Sequence, residues 1–265
     1  MKIGIVGAGR VGSACALAAV VRGSARYIVI VDRTPKRAKA VATDLRYGSP
    51  LGPKTTIVDG DYDDLADAAL VMVTAGINEK AGGATDRNDP EGRLRLLDTN
   101  AEIYREIVPH VMGAPPGAVI LVVTDPPDPL ADIARISAGH ARVLSTGTFL
   151  DNLRFRVHLA EHFGVDANQV EAQVVGERGI SQVFLWSTAR IAGVPVSTII
   201  RERGESSEAL TNSPARSKTR EPDQATVVLS DLRNSELKHE TANQRIALNK
   251  FAREPPNYPT AGSDR

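Results

Sequence analysis

A glycine-rich turn near the N-terminus restricts the fold of this chain more than any other feature. Residues 7–12 read Gly-Ala-Gly-Arg-Val-Gly; they follow the apolar run Lys2–Val6 and open the helical pattern Arg10–Arg22. In such a turn Gly7 makes the tight bend, Gly9 lets the backbone approach a ligand, and Gly12 permits close packing of helix on strand. The free N–H groups and positive dipole end of the helix would then face a phosphate group.

An acidic residue indicates which ligand this turn binds. Asp32 directly follows the second apolar run, Tyr27–Val31. A carboxylate at that place accepts hydrogen bonds from an adenosine ribose and repels a 2′-phosphate, so NAD is predicted rather than NADP. The neighbouring Arg33 weakens this preference. The alternative, a structural turn that binds no ligand, is disfavoured because strand, turn, helix and acid are all in register.

The first part of the chain alternates between two kinds of segment. Short β-rich apolar runs predict buried strands at Lys2–Val6, Tyr27–Val31, Leu70–Thr74 and Ala118–Val123, with a weaker one at Thr55–Val58. Amphipathic patterns between them predict helices at Arg10–Arg22, Pro35–Arg46, Arg93–Met112 and Asp128–Ser137. This alternation predicts an α/β fold, a doubly wound parallel Rossmann sheet with helices on both faces.

The pattern changes along the rest of the chain. We expect a helix over Asp151–Phe163, a strand over Val170–Val175, and a helix that starts near Ser181 and carries Val183. From residue 201 to residue 226 the only large aliphatic residue is Leu210, so too little apolar surface is available to offset the entropy of ordering. We therefore expect a disordered segment there, followed by at most one marginal helix.

Composition excludes several classes of function. Thirty-two basic and 32 acidic residues cancel, so no overall charge attracts nucleic acid or an anionic membrane. No run of about 18 uninterrupted apolar residues predicts a membrane-spanning helix. Cys15 is the only cysteine, which excludes a disulfide framework within the chain. His158 and His162 have the spacing of a metal pair but no third ligand, so no metal site is predicted. A cytoplasmic protein is expected.

Four further segments form a more specific pattern. They are Thr74-Ala75-Gly76; Gly92-Arg93-Leu94; residues 150–156, which read Leu-Asp-Asn-Leu-Arg-Phe-Arg; and residues 176–181, which read Gly-Glu-Arg-Gly-Ile-Ser. Together with the glycine turn they resemble the lactate/malate dehydrogenase family, the NAD-dependent L-2-hydroxy-acid dehydrogenases, and are closest to its L-lactate members. The resemblance covers about residues 1–200 and stops near Ile200.

The resemblance implies a role for each matching residue. Arg154 would hold the substrate carboxylate with two parallel hydrogen bonds, and Asp151 would orient the general acid/base. Arg93 would polarise the keto oxygen as its loop closes. Residues 74–76 would pack against the NAD cofactor. The substrate would be a small 2-hydroxy or 2-oxo acid.

Three departures from the family pattern bear on activity. Arg178 stands where the family has its catalytic histidine, and a guanidinium does not exchange a proton near pH 7 as an imidazole does. Asp125 stands where the family usually has an asparagine whose amide donates to the substrate. The end of the substrate domain has no counterpart. We therefore expect an impaired oxidoreductase; the alternative is an inactive NAD-binding pseudoenzyme, or the product of a gene frameshifted near codon 203.

Glu79 lies where lactate enzymes usually have glutamine and malate enzymes arginine. A carboxylate there repels the second carboxylate of malate, so lactate/pyruvate is preferred to malate/oxaloacetate, although Arg87 weakens the argument. We expect an NAD-binding domain over 1–147, a truncated substrate domain over 148–203, and a polar tail over 204–265 that is disordered or weakly helical. The family also implies a homo-oligomer, part of whose interface this chain would lack.

Overall fold

The computed structural model describes residues 1–78, 81, 92–113, 117–178 and 182–204, with the backbone alone for 92–95. Contacts between Cα atoms divide it into two compact units, and the division falls between Ser145 and Thr146. Except for Gly204, the expected tail lies outside the described residues. Within the described ranges, no helix combines the length and apolar character needed to cross a membrane.

A parallel sheet forms the centre of the first unit. Its strands are β1 Lys2–Val6, β2 Tyr27–Val31, β3 Thr56–Gly60, β4 Leu70–Val73, β5 Val119–Val122 and β6 Val143–Ser145. They lie in the order β3-β2-β1-β4-β5-β6, and each neighbouring pair is parallel. The chain changes direction across the sheet between β1 and β4, where a crevice forms at the carboxyl ends of the strands. The predicted doubly wound Rossmann sheet is confirmed.

Among the described residues of this unit, four α-helices cover the two faces of the sheet: α1 Arg10–Val21, α2 Pro35–Gly48, α3 Gly92–Gly113 and α4 Pro127–Ala138. Because side chains alternate along a strand, each face has its own core. The isoleucines of β1 and β2 are buried together with alanines of α1 and α2. The valines of the same strands are buried on the other face, with Tyr104 of α3 and Leu130 of α4. Small alanines let α1 and α2 lie close to the sheet.

The described part of the second unit combines two α-helices with short antiparallel strands. These are α5 Phe149–Phe163, β7 Val170–Glu171, β8 Val174–Val175, β9 Val183–Phe184, β10 Arg190–Ile191, β11 Val194–Pro195 and α6 Val196–Arg203. The strands form a β11-β10-β7 sheet and a β8-β9 pair. Phe155 of α5 packs edge-on against Phe184 and Trp186, with ring centroids 5.0 and 4.8 Å apart. These aromatic contacts hold α5 on the strands.

Two expectations for the second unit are wrong. The strand expected over Val170–Val175 is divided into β7 and β8, which belong to different sheets. The helix expected to start near Ser181 is replaced by β9, in which Val183 pairs with Val175 and Phe184 with Val174. Val183 is β-branched and Phe184 is aromatic, and both residue types favour a strand when an antiparallel partner is available. Here the partner is β8, which lies too far along the chain for a local sequence pattern to reveal the pairing.

Candidate functional site

The glycine turn has the geometry that its spacing predicts. Gly7 has a φ of +105°, and a methyl group on its Cα would lie 2.7 Å from the backbone nitrogen of Ala75. A methyl group on Gly12 would lie 1.8 Å from the carbonyl oxygen of Gly7. Gly9 is different, because no described atom beyond its two neighbours in the chain lies within 4 Å of the place where its Cβ would be. The turn is therefore closely packed on its inner side and open at Gly9.

Asp32 follows β2 and accepts a hydrogen bond from the backbone of the glycine turn. Its Oδ2 accepts a hydrogen bond of 2.7 Å from the N–H of Ala8, and its Oδ1 accepts one of 2.8 Å from the N–H of Thr34. Arg37 is 4.0 Å from Oδ1 and is largely exposed. Helix α1 begins next to this carboxylate with Gly9 as its N-cap, no side-chain cap and no acidic residue in its first turn. Its first N–H groups are thus placed to bind an anion from outside the chain.

The segment 74–76, which follows β4, contacts both the glycine turn and the end of β5. The Thr74 hydroxyl donates a hydrogen bond of 2.8 Å to the carbonyl oxygen of Gly7. A methyl group on Gly76 would lie 2.4 Å from Cγ2 of Thr124, whose hydroxyl donates to the carbonyl oxygen of Ala75 at 2.7 Å. The carboxyl ends of β1, β2, β4 and β5 therefore bring the sequence-predicted cofactor residues of this unit together.

Sequence reasoning gave no role to Asn100, a completely buried residue of α3. Its Oδ1 accepts a hydrogen bond of 2.8 Å from the N–H of Ile77, and its Nδ2 donates one of 2.9 Å to the carbonyl oxygen of Asp125. The side chain thereby joins the loop after β4 to the loop after β5. A buried asparagine within an apolar helix face is the one sequence signal that could have identified it.

Three of the sequence-predicted site residues have a less complete description. Asp125 lies at the carboxyl end of β5, half-buried, with its backbone oxygen held by Asn100. Arg93 lies in the first turn of α3, where the backbone alone is described, and Glu79 lies outside the described residues. The structure therefore places Asp125 beside the predicted cofactor edge and leaves the side chains of Arg93 and Glu79 undescribed.

The second unit brings Asp151, Arg154 and Arg178 together. Asp151 lies in the first turn of α5, with its side chain only 5 % exposed. Arg154, one helical turn later, places Nη1 3.0 Å from Oδ1 of Asp151. Arg178 comes from the segment after β8 and places Nε 3.5 Å from Oδ2. A buried carboxylate thus lies between two guanidinium groups, and we call these three residues the Asp151 cluster.

Two side chains at the start of α5 hold Arg178 near Asp151. Thr148 donates a hydrogen bond of 2.6 Å to the carbonyl oxygen of Val174, and Asn152 accepts one of 2.6 Å from the N–H of the same residue. Both backbone groups of Val174 in β8 are therefore bound to α5. This contact brings the segment that follows β8, which includes Arg178, against the first turn of α5. Sequence reasoning missed both residues, since their partner lies outside any helical spacing.

The structure gives His158 and His162 ordinary surroundings. His158 lies 3.5 Å from a carboxylate oxygen of Glu161, and His162 packs edge-on against Phe163. Among the residues that the structure describes, no group of three or more histidine, cysteine, aspartate or glutamate side chains is arranged to hold a metal ion.

Comparisons with known proteins identify the family of this chain. Residues 1–144 match the family model described as lactate/malate dehydrogenase, NAD binding domain, and residues 148–213 match its alpha/beta C-terminal domain. The second match extends past Ile200, where the resemblance read from motifs ends. The L-lactate dehydrogenase of Deinococcus radiodurans is 44% identical over 201 residues, which are 76% of this chain and 64% of that relative. The chain thus matches less than two thirds of the length of this relative.

Solved structures show the same likeness. The minor L-lactate dehydrogenase of Enterococcus mundtii, in a ligand-bound form, has a TM-score of 0.72 and 30% identity, covering 92% of this chain and 76% of that one. The lactate dehydrogenase of Cryptosporidium parvum, complexed with lactic acid and NAD, has a TM-score of 0.73 and covers 95% of this chain and 75% of that one. At 24% identity the second shows a likeness of fold alone. With its open glycine turn, its acid after β2 and matches to both family models, the chain belongs to the lactate/malate dehydrogenase family.

Proposed function

We propose that this protein is an NAD(H)-dependent oxidoreductase for a small 2-hydroxy/2-oxo acid, with an impaired proton-transfer step. Lactate/pyruvate is the preferred substrate pair, and malate/oxaloacetate is the alternative. The observation that supports the proposal is the Asp151 cluster, in which a buried carboxylate lies 3.0 Å from Nη1 of Arg154 and 3.5 Å from Nε of Arg178, the residue that we propose stands in place of the family's histidine. We place the activity in the cytoplasm, without nucleic-acid or membrane partners.

The first unit has the features that NAD requires. Gly9 leaves room for a pyrophosphate at the start of α1, and the Asp32 carboxylate offers acceptor oxygens to a ribose. Thr74 and Asn100 hold the neighbouring loops by hydrogen bonds within the chain. When bound, the nicotinamide supplies or accepts the hydride, and the protein contributes the binding and orientation.

Arg154 is proposed to bind the substrate carboxylate. Its side chain is 48% exposed while Nη1 contacts Asp151, so the guanidinium is both anchored and accessible. A planar guanidinium suits a carboxylate because two parallel hydrogen bonds fix its orientation. Arg93 and Asp125 are proposed to lie around the substrate oxygen, and Glu79 is proposed to disfavour a second carboxylate. The named L-lactate dehydrogenase relatives support lactate over malate.

Arg178 determines how well the reaction proceeds. Positioned proton transfer contributes roughly 10²–10⁴-fold to a rate, and a guanidinium that stays protonated forfeits that factor. The second candidate function, NAD binding without turnover, is favoured by the same observation, because the Nε of Arg178 already lies 3.5 Å from Asp151. The frameshift variant of this candidate concerns residues outside the described ones.

The test measures cofactor binding and turnover on one preparation of the full chain. NADH binding is followed by fluorescence, and NADH oxidation is followed with pyruvate and with oxaloacetate. We expect NADH binding, slow turnover with pyruvate, and slower turnover with oxaloacetate. Arg178→His should raise kcat by about tenfold or more, and adding Asp125→Asn should raise it again.

A different experimental result would contradict each part of the proposal. A folded protein that binds no NADH at millimolar concentration contradicts the cofactor. Wild-type turnover of pyruvate at rates typical of enzymes, about 10 s⁻¹ or faster, contradicts the impaired step. Turnover that is absent in the wild type and in both variants favours the second candidate function.

A further inference from the structure

We propose that the Asp151 cluster is a binding site of constant charge for a 2-oxo acid anion, which it binds without taking up a proton. The inference rests on the proposed function, because it assigns the same cluster to the substrate. It goes further by describing how binding depends on pH and what happens to the bound acid.

Within the cluster, the negatively charged side chain is more deeply buried than the two positively charged ones. The Asp151 side chain is 5% exposed, whereas those of Arg154 and Arg178 are 48% and 18% exposed. The single negative charge is therefore buried beneath two positive charges, and the cluster carries one net positive charge on its more accessible side. A monoanion such as a 2-oxo acid has the complementary charge.

Replacing an imidazole by a guanidinium changes the linkage between binding and pH. A histidine beside a buried carboxylate changes its charge near pH 6.5, so an anion that prefers the protonated form takes up a proton as it binds. A guanidinium keeps its charge throughout the pH range in which proteins are stable. The affinity of the Asp151 cluster for an anion is therefore the same in acidic and in alkaline solution.

The constant charge of the guanidinium also determines whether the bound 2-oxo acid can be reduced. Hydride addition to C2 moves the electron pair of the C=O bond onto the oxygen, and the resulting alkoxide must gain a proton. Arg178 would have to become neutral to give one, which a guanidinium does not do. The cluster thus holds the 2-oxo acid but supplies no proton for its reduction.

The segments that carry the cluster have further titratable side chains in the described part of the second unit. Glu177 adjoins Arg178 in the chain, and its carboxyl type ordinarily titrates below about pH 5. His158 and His162 lie on α5 beyond Asp151, against Glu161 and Phe163 respectively. Histidine is the type that ordinarily titrates between pH 5 and 8, so these two residues require a control.

The test is calorimetric titration of the full chain with oxamate, with and without saturating NADH. Oxamate is an isostere of pyruvate in which an uncharged amide nitrogen replaces the methyl carbon. Titrations in two buffers of different ionisation enthalpy, between about pH 6 and pH 8.5, give the number of protons taken up. For the wild type we expect no proton uptake and a Kd that changes by less than about twofold. For Arg178→His we expect uptake of up to one proton and a Kd that rises roughly tenfold for each pH unit above the histidine pKa.

Matched variants separate the cluster from other causes. Arg190→His places a histidine at an exposed position of the same unit, where the guanidinium donates a hydrogen bond to the carbonyl oxygen of Gly193. It should behave as the wild type, and so should the double variant His158→Gln/His162→Gln. Arg178→Lys keeps the charge and should also bind without proton uptake, which preserves the test if Arg178→His fails to fold.

Two results would overturn the inference: oxamate that does not bind with or without NADH, or wild-type binding that takes up close to one proton. NADH binding is scored separately. Its loss contradicts the proposed function, whereas NADH binding without oxamate binding contradicts the further inference alone.

Discussion

Gly12 and Gly7 touch through their backbones: a methyl group on the Cα of Gly12 would lie 1.8 Å from the carbonyl oxygen of Gly7. At Gly9, between them, no described atom beyond its two neighbours in the chain lies within 4 Å of the equivalent position. The two positions therefore need glycine for different reasons. Gly12 is required for contact within the chain, and we propose that Gly9 is required for the ligand.

Alanine substitutions at these two glycines should have different effects. Gly12→Ala must push α1 away from the turn and should lower the free energy of unfolding by about 2 kcal/mol or more. Gly9→Ala should change it by less than about 0.5 kcal/mol and weaken NADH binding by about tenfold or more, because the methyl group occupies the space of the pyrophosphate. Urea unfolding and NADH fluorescence measure the two quantities. Equal loss of stability in both variants would contradict this division.

Removal of the Asp32 carboxylate should alter cofactor preference. Asp32→Ala removes the charge that repels a 2′-phosphate, so the ratio of NADPH to NADH affinity should rise by about tenfold. It also leaves the N–H groups of Ala8 and Thr34 without their acceptor, which should lower stability by about 1–3 kcal/mol. Asp44→Ala, at an exposed position of α2, is the matched control and should change neither quantity. Unchanged selectivity in Asp32→Ala would remove Asp32 from the cofactor site.

Asn100 should be a strong determinant of stability and of cofactor binding. Asn100→Ala leaves the N–H of Ile77 and the carbonyl oxygen of Asp125 without partners and creates a cavity, so we expect a loss of about 2–4 kcal/mol. NADH affinity should fall as the loops after β4 and β5 separate. Asn168→Ala, at an exposed position, should leave both measurements unchanged. A stable Asn100→Ala variant with normal NADH affinity would show that the loops do not need this link.

Tyr104 should make the protein sensitive to alkaline pH. Burial raises the pKa of Tyr104, whose hydroxyl donates to the carbonyl oxygen of Val73 at 3.3 Å. An unfolded tyrosine ionises near pH 10, so the stabilisation is complete below that pH and is lost above it at up to about 1.4 kcal/mol per pH unit.

The measurement is the free energy of unfolding in urea between about pH 9 and pH 11. Tyr104→Phe should reduce the alkaline loss, and Tyr47→Phe, with its side chain largely exposed, should leave it unchanged. Burial, with Glu106 and Asp32 nearby, also raises the pKa of Tyr62, so some loss should persist in Tyr104→Phe. An alkaline loss identical in wild type and Tyr104→Phe would contradict the assignment.

The sequence revealed those features that depend on local spacing. The strand bounds of β1 and β2 agree with their apolar runs, and the glycine turn agrees with its motif, because both are set by neighbouring residues. Strand β6 has three residues, Val143–Ser145, and is too short to show a period. Strand β9 depends on its pairing with β8, which only the folded chain supplies.

In the candidate site, too, local spacing predicted some residues and long-range contacts hid others. Asp32 could be predicted because it directly follows an apolar run, whereas Asn100 was missed because its two partners lie far from it in sequence, at Ile77 and Asp125. Thr148 and Asn152 were missed for the same reason. The proximity of Arg178 to Asp151 was expected from family resemblance and not from any spacing, and its geometry is now described.

The hydrogen bonds of Asn100 and Thr74 also have a kinetic consequence. They connect Thr74 to Gly7 and, through Asn100, Ile77 to Asp125, all within the first unit and without a bound cofactor. For these residues the conformational entropy was lost during folding, so a dinucleotide that reaches this edge does not have to wait for them to rearrange. Differences in affinity among variants of this edge should then appear in the residence time of the cofactor and not in its rate of arrival.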